Sequence, residues 1–314
     1  MWTFVIFFLI VLLVGWLWYN RYRVKQAQFK YPPAGQFVSA EGIRLHYISK
    51  GTGKPIVFLH GGVLTGRDFE RVLELAAEEG YRAIAFDRPG YGYSERPRNE
   101  AATPFVQARL LHAALAELGI RKPILVGHSW SGALVLSYAL LYPGEMDGII
   151  TLGAAMYKEG YPAEHGDPLS KLATSPIVGD LLLHTLLRSP IATFMTDRML
   201  EATFAPEPVP PGYREEAHAL WLRPGQFKAN REDVLSFVPA VEEMSGRYNE
   251  IGVPAVIAVG SEDPFGTLEQ AYRLKEQLKH AELIVMPEVA HMIPQNHPER
   301  VMEAVNRLAK LRAS

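Results

Sequence analysis

Short, continuously apolar stretches alternate along this chain with longer segments whose apolar positions recur at helical spacing. Ile56–His60, Arg82–Asp87, Pro123–His128, Gly148–Leu152, Ala255–Gly260 and Leu283–Met286 are of the first kind, as expected of strands covered on both faces. Arg67–Glu79, Thr103–Leu118, Trp130–Leu141, Thr267–Leu278 and Pro298–Leu311 carry the helical period between them. Ile43–Ser49 instead alternates polar and apolar residues, like an edge hairpin strand, and Gly51-Thr52-Gly53-Lys54 reads as a hairpin turn after it. This order predicts an α/β fold with a mostly parallel, doubly wound sheet flanked by helices.

The alternation stops between Ala154 and about Asn249. Leu181–Leu187, Phe194–Phe204 and Glu216–Leu222 are short helical patterns there, punctuated by five prolines from Pro190 to Pro211, and no strand pattern stands out. An all-helical insertion between two core strands reads as a cap over the carboxyl ends of the strands, where ligands bind. The expected organisation is therefore core 36–153, cap 154–249 and core 250–314.

The N-terminus follows a different pattern. Trp2 to Tyr19 is an uncharged apolar run, long enough as a helix to span roughly 27 Å at about 1.5 Å per residue. Trp16, Trp18 and Tyr19 fall where an interfacial aromatic belt would lie, and Arg21, Arg23, Lys25 and Lys30 follow. A signal peptide would want a basic region before the run and an Ala-x-Ala-like site after it, and neither is present. Residues 1–20 are thus expected to be a single-pass membrane anchor, with the lipid bilayer as partner, and 21–35 a basic linker. The basic flank predicts a cytoplasmic catalytic domain.

Composition narrows the classes. Of 314 residues, 48% are apolar and 21% charged, so a large core is available. A net charge of −2 gives no general attraction to nucleic acid, and the absence of cysteine excludes disulfides, thiolate metal sites and a cysteine nucleophile. No metal-ligand cluster such as His-Glu-x-x-His is present, and no cofactor is expected.

The chemistry concentrates at Gly127-His128-Ser129-Trp130-Ser131-Gly132, where an apolar strand runs into an apolar helix through a small-x-Ser-x-small turn. Such a "nucleophile elbow" is too tight for large flanking residues and lifts the serine hydroxyl above the sheet, beside the free N–H groups of the new helix. Ser131 also satisfies the spacing, but Gly127 and His128 close the strand, which favours Ser129 as nucleophile. Upstream, His60-Gly61-Gly62 follows a buried strand, so Gly62 or Val63 together with Trp130 can supply the N–H groups of an oxyanion hole. His60 itself reads as a structural histidine bonded to backbone. Asp87-Arg88-Pro89-Gly90-Tyr91-Gly92-Tyr93-Ser94 closes the next strand without completing a phosphate loop, and is expected to brace the site.

With His-Gly-Gly, Asp-Arg-Pro-Gly-Tyr-Gly-Tyr-Ser and Gly-His-Ser-Trp-Ser-Gly in this order, residues 35–311 resemble the α/β-hydrolases of the cap-bearing esterase, epoxide-hydrolase and dehalogenase group. The resemblance implies a triad in the order nucleophile, acid, histidine. It places the acid at Asp263, with Glu262 its neighbour, and the histidine at His291, in the loop after the last strand; His297 looks like a helix-start residue. Asp147 lies at the wrong end of its strand. Relatives that open epoxides or displace halide carry Asp at the elbow, so Ser129 argues against both chemistries.

The expected activity is hydrolysis of carboxylic esters with apolar acyl groups, carboxylesterase- or lipase-like, through an acyl-enzyme on Ser129. Lipid-derived small-molecule esters at a membrane surface fit the anchor and the apolar cap. Amide, lactone or carbon–carbon hydrolysis and cofactor-free haloperoxidase chemistry use the same triad and stay open, as does a membrane-tethered binding module on a hydrolase fold. Nothing in the sequence sets the oligomeric state.

Overall fold

Eight strands form one sheet: β1 (Gln36–Ala40), β2 (Ile43–Lys50), β3 (Lys54–Leu59), β4 (Tyr81–Phe86), β5 (Ile124–His128), β6 (Gly148–Leu152), β7 (Ala255–Gly260) and β8 (Glu282–Met286). Their spatial order is β1-β2-β4-β3-β5-β6-β7-β8; β2 is antiparallel to both β1 and β4, and the remaining pairs are parallel. The computed structural model describes residues 2–312, so Met1 of the expected anchor and Ala313 and Ser314 of the second core segment lie outside it.

The sheet is buried on both faces because successive side chains point to opposite sides. Val57, Leu59, Ile84, Phe86, Leu125 and Ile149 face a core closed by α3 (Pro104–Glu117) and α4 (Ser131–Leu141). Ile56, Phe58, Ala83, Ala85, Val126 and Ile150 face the other core, closed by α2 (Glu70–Glu78) and α10 (Pro298–Leu311). This is the mostly parallel sheet flanked by helices that the strand–helix alternation predicts, in the α/β-hydrolase arrangement that the motif resemblance implies.

Three local readings change. Gly51–Gly53 is not a hairpin turn: β2 and β3 are not neighbours, and β2 pairs instead with β4. The hairpin is β1–β2, a strand pair joined at Glu41-Gly42, both with positive φ (51° and 80°), and β1 was not anticipated. At the N-terminus, one helix, α1 (Trp2–Lys30), continues through most of the expected linker. Residues 20–30 hold no Gly or Pro and several good helix formers; Pro32, Pro33 and Gly35 come only afterwards.

Between β6 and β7 lie five helices: α5 (Pro168–Thr174), α6 (Val178–Leu186), α7 (Pro190–Phe204), α8 (Tyr213–Leu220) and α9 (Pro224–Met244). The three expected patterns correspond to α6, α7 and α8. The longest, α9, was missed because its buried face is half polar: Gln226, Asn230 and Asp233 precede Phe237, Val241 and Met244 on it. Those last three residues belong to the main core, so α9 runs from the cap into the body.

What ties α9 down is a buried ion pair. Arg88 Nη1 lies 2.6 Å from Asp233 Oδ2, both side chains fully buried, and Arg96 Nη2 lies 2.9 Å from Asp233 Oδ1. Gln107 and Tyr91 also donate to that carboxylate. Removing one partner strands the other charge in the interior, so Asp233→Ala should cost about 3–5 kcal/mol in urea denaturation. Arg88→Met combined with Asp233→Leu should recover part of that loss; a double variant no more stable than Asp233→Ala would contradict the ion-pair account.

Candidate active site

The elbow follows directly from the strand–helix junction. β5 ends at His128, α4 begins at Ser131, and Ser129 takes φ +54°, in the left-handed region that costs a non-glycine residue energy. Three backbone bonds hold it there: Ser129 N–H donates to Leu152 O, while Gly132 and Ala155 N–H donate to Ser129 O. The small neighbours are obligatory. A Cβ on Gly127 would meet Ser131 O at 2.4 Å, and one on Gly61, from the loop after β3, would meet Ser129 Cβ at 2.7 Å.

Ser129 Oγ lies 3.0 Å from His291 Nε2, and His291 Nδ1 lies 2.6 Å from Asp263 Oδ2. The three residues come from the loops after β5, β7 and β8, at the carboxyl ends of parallel strands. Asp263 also accepts from Phe265 N–H through Oδ1, and its side chain is fully buried. Burial alone would raise its pKa, but the charge and hydrogen bond of His291 outweigh it and hold the carboxyl below the usual range. The other candidates are elsewhere. Glu262 is exposed and accepts from its neighbour Ser261; Asp147 pairs with Lys54 and Arg312; His297 precedes α10 and bonds Glu207; Ser131 Oγ donates to His60 O at 2.6 Å.

Gly62, Val63 and Trp130 line the same cavity as Ser129 and His291. Val63 has φ +57°, which turns its backbone out of the extended path of β3. None of the three backbone N–H groups finds an acceptor among the described residues, so all are free to meet an oxyanion.

Two histidines support this site from behind. His60 is fully buried; Arg88 N–H donates to its Nε2, and burial followed by the Arg88 charge pushes its pKa down to about 3, so it stays neutral. His128, read in the sequence only as closing its strand, donates from Nε2 to His291 O at 2.9 Å, and its ring lies 4.9 Å from the His291 ring at a tilt of 41°. Burial, then the His291 charge, pushes its pKa down to about 3. Its spacing to Ser129 marked it as part of the elbow, but nothing local signalled a contact 163 residues away.

The cavity encloses about 290 Å³ and is lined chiefly by apolar groups, including Val63, Leu64, Trp221, Val234 and Met292. Arg231 is the only Lys or Arg lining it among the described residues, and Asp167 sits 3.6 Å away. Among the described residues no three His, Cys, Asp or Glu side chains converge to hold a metal ion.

Comparison with known proteins agrees with this architecture. Residues 54–177 match a family described as alpha/beta hydrolase fold. A 2-hydroxy-6-oxononadienedioate/2-hydroxy-6-oxononatrienedioate hydrolase of Paraburkholderia phymatum is 29% identical over 269 residues, spanning 82% of this chain and 88% of its own. A 2-hydroxy-6-oxo-6-phenylhexa-2,4-dienoate hydrolase of Burkholderia cepacia is 26% identical over 282 residues, 84% of this chain and 89% of its own. Among solved structures, a thermophilic esterase of Thermogutta terrifontis superposes with a TM-score of 0.70 at 22% identity, over 88% of this chain and all of its own. An epoxide hydrolase of Vigna radiata also reaches 0.70, at 20% identity, over 88% of this chain and 97% of its own. The chain has the α/β-hydrolase fold.

The buried carboxylate makes stability depend on pH in a stated direction. Asp263 has its folded pKa lowered, so its contribution is present above the usual carboxylate pKa and disappears as pH falls through the lowered value. Asp263→Asn should therefore denature earlier than wild type at neutral pH, with the gap closing below about pH 4. A gap that is the same at neutral and acid pH would refute the assignment of that charge.

Proposed function

We propose that the protein is a membrane-anchored serine hydrolase that cleaves carboxylic esters of uncharged, apolar acyl groups through an acyl-enzyme on Ser129. The observation that carries this reading is the hydrogen-bonded line Ser129–His291–Asp263 opening into an apolar cavity. In the first half-reaction His291 takes the Ser129 proton as Oγ attacks the carbonyl carbon. Asp263 fixes the imidazole tautomer and balances its positive charge. The N–H groups of Trp130 and of Gly62 or Val63 stabilise the oxyanion, each worth about 3 kcal/mol in the transition state. His291 then protonates the departing alcohol, and in the second half-reaction activates water to release the acid.

Two features support a lipid-derived substrate at a bilayer. α1 carries a window of mean hydropathy 2.2 with none of that window buried. Beside it the cap leaves Ile177, Leu186, Ile191, Phe194 and Met195 exposed, an apolar face rare on a water-facing surface. Met199 belongs to that face and also lines the catalytic cavity, so an acyl chain has an apolar route from one to the other. On this reading the basic flank of α1 keeps the catalytic domain cytoplasmic.

A second reading, carbon–carbon hydrolysis of a ketonic acid, draws on the names of the curated relatives and on Arg231, which can face a substrate carboxylate. Asp167 already offsets that cation, which favours the uncharged ester.

A fluorophosphonate probe should label the wild type and Ser131→Ala but not Ser129→Ala; labelling of Ser129→Ala would sink the nucleophile assignment. On a panel of p-nitrophenyl esters graded by acyl length, wild type should outpace its own turnover of a 2-hydroxy-6-oxo-dienoate. The opposite ranking, together with loss of dienoate turnover in Arg231→Ala, would replace the ester reading with the carbon–carbon one.

A further inference from the structure

We propose that the cavity between α1 and the cap is a binding site for the phosphate of an anionic lipid headgroup. The cavity, about 450 Å³, is separate from the catalytic one. Arg21 and Lys25 of α1 line one side; Arg188, just before α7, and Arg223, which caps α9, line the other. No Asp or Glu lines it among the described residues.

These cations are uncompensated. Among the described residues Arg21 and Lys25 form no ion pair. Arg188 gives Nη1 to His218 O and Nη2 to Ala219 O, while its Nε is buried without a partner. Arg223 gives Nε to Leu220 O and Nη2 to Gln226 Oε1, and its guanidinium lies over the Tyr93 ring. Burial, then repulsion from Arg23 and Arg223, brings the Arg188 pKa down to about 10; burial lowers that of Arg223 against the partial support of Tyr93 and Asp87. A buried guanidinium and a half-buried one that touch only carbonyls, an amide and a ring are costly to leave without an anion, and their planar forks match phosphate oxygens.

The position specifies a lipid rather than a soluble phosphate; in this respect the inference rests on the membrane reading above. The apolar run ends at Tyr19, so Arg21 and Lys25 sit about 3 and 9 Å further along the helix axis. The headgroup layer is about 5–8 Å thick on each side of the hydrocarbon core. Trp16 Nε1 donates to Thr185 O of α6 at 2.6 Å, which locks the cap to the anchor at this depth.

The test uses the full chain in detergent micelles and reads thermal unfolding midpoint against added short-chain phosphatidic acid, short-chain phosphatidylcholine or inorganic phosphate. Wild type should be stabilised by phosphatidic acid at concentrations where phosphatidylcholine does nothing, and by inorganic phosphate only at far higher concentration. Arg21→Ala with Lys25→Ala, both exposed and remote from the core, should weaken the phosphatidic acid response by about tenfold or more. Lys171→Ala with Arg198→Ala removes the same charge from the cap surface outside the cavity and should leave the response intact. Equal loss in both double variants would reduce the effect to general electrostatics, and no selective response in wild type would end the proposal. Equal potency of inorganic phosphate would overturn the lipid assignment. Flotation with phosphatidylcholine vesicles tests the anchor separately, and fluorophosphonate labelling of each variant confirms an intact Ser129.

Discussion

One guanidinium, that of Arg88, connects the parts on which the site depends. Its Nε and Nη2 hold the carbonyls of His60 and Gly61, the loop that carries the proposed oxyanion donors. Its Nη1 holds Gln107 of α3 and Asp233 of α9. Its plane lies between the rings of Tyr91, at 4.4 Å, and Trp130, at 4.2 Å, so the elbow residue next to Ser129 is part of the same stack. A buried ion pair is seldom a large net source of stability, because desolvating both charges costs about as much as their attraction returns. What it contributes here is placement: the β3 loop, the elbow and the cap helix can satisfy one charge in only one mutual arrangement.

That placement matters because Ser129 is held in a conformation its chemistry does not favour. A positive φ at serine persists only where the surroundings over-determine it. The β6 end fixes Ser129 by backbone bonds, Gly61 approaches to within van der Waals contact of its side chain, and Ser131 binds His60 O beneath. Gly153, at φ +46°, does the same for the acid and the histidine: a Cβ there would lie 2.9 Å from Asp263 Oδ2. His128 closes the set by holding the His291 carbonyl, which helps fix the ring whose Nε2 faces Ser129 Oγ.

Most of this site was legible in the sequence because its geometry is enforced locally. The elbow needs small residues at Gly127 and Gly132, the loop after β3 needs glycine at Gly61, and strands buried on both faces are continuously apolar. The elements that escaped notice are those whose partners are distant. α9 hides its helical period behind Gln226, Asn230 and Asp233, polar residues that are buried because Gly92 meets the first, Tyr91 the second, and Arg88 and Arg96 the third. Glycines at Gly51 and Gly53 look like a hairpin turn, yet they carry the chain past a strand that has not been made when they are read. The charges beyond Tyr19 signal an exposed linker, yet exposure does not prevent a helix.

Charge is distributed between the two cavities in a way that bears on what each can accept. In the cavity at Ser129, Arg231 is matched by Asp167, and the rest of the lining is mostly carbon. In the cavity beside α1 no carboxylate lines the wall among the described residues, which is what makes an anion the proposed occupant. The two are not independent, because one side chain joins them. Gln226 accepts from Arg223 and from Gly92 N–H, and donates from Nε2 to Val63 O at 2.7 Å. An occupant that draws the Arg223 guanidinium toward itself therefore acts two hydrogen bonds from the backbone that would meet an oxyanion. A headgroup held there would position the cap against the bilayer while leaving the acyl path open. Substrate and anchor lipid would then be sorted by charge alone.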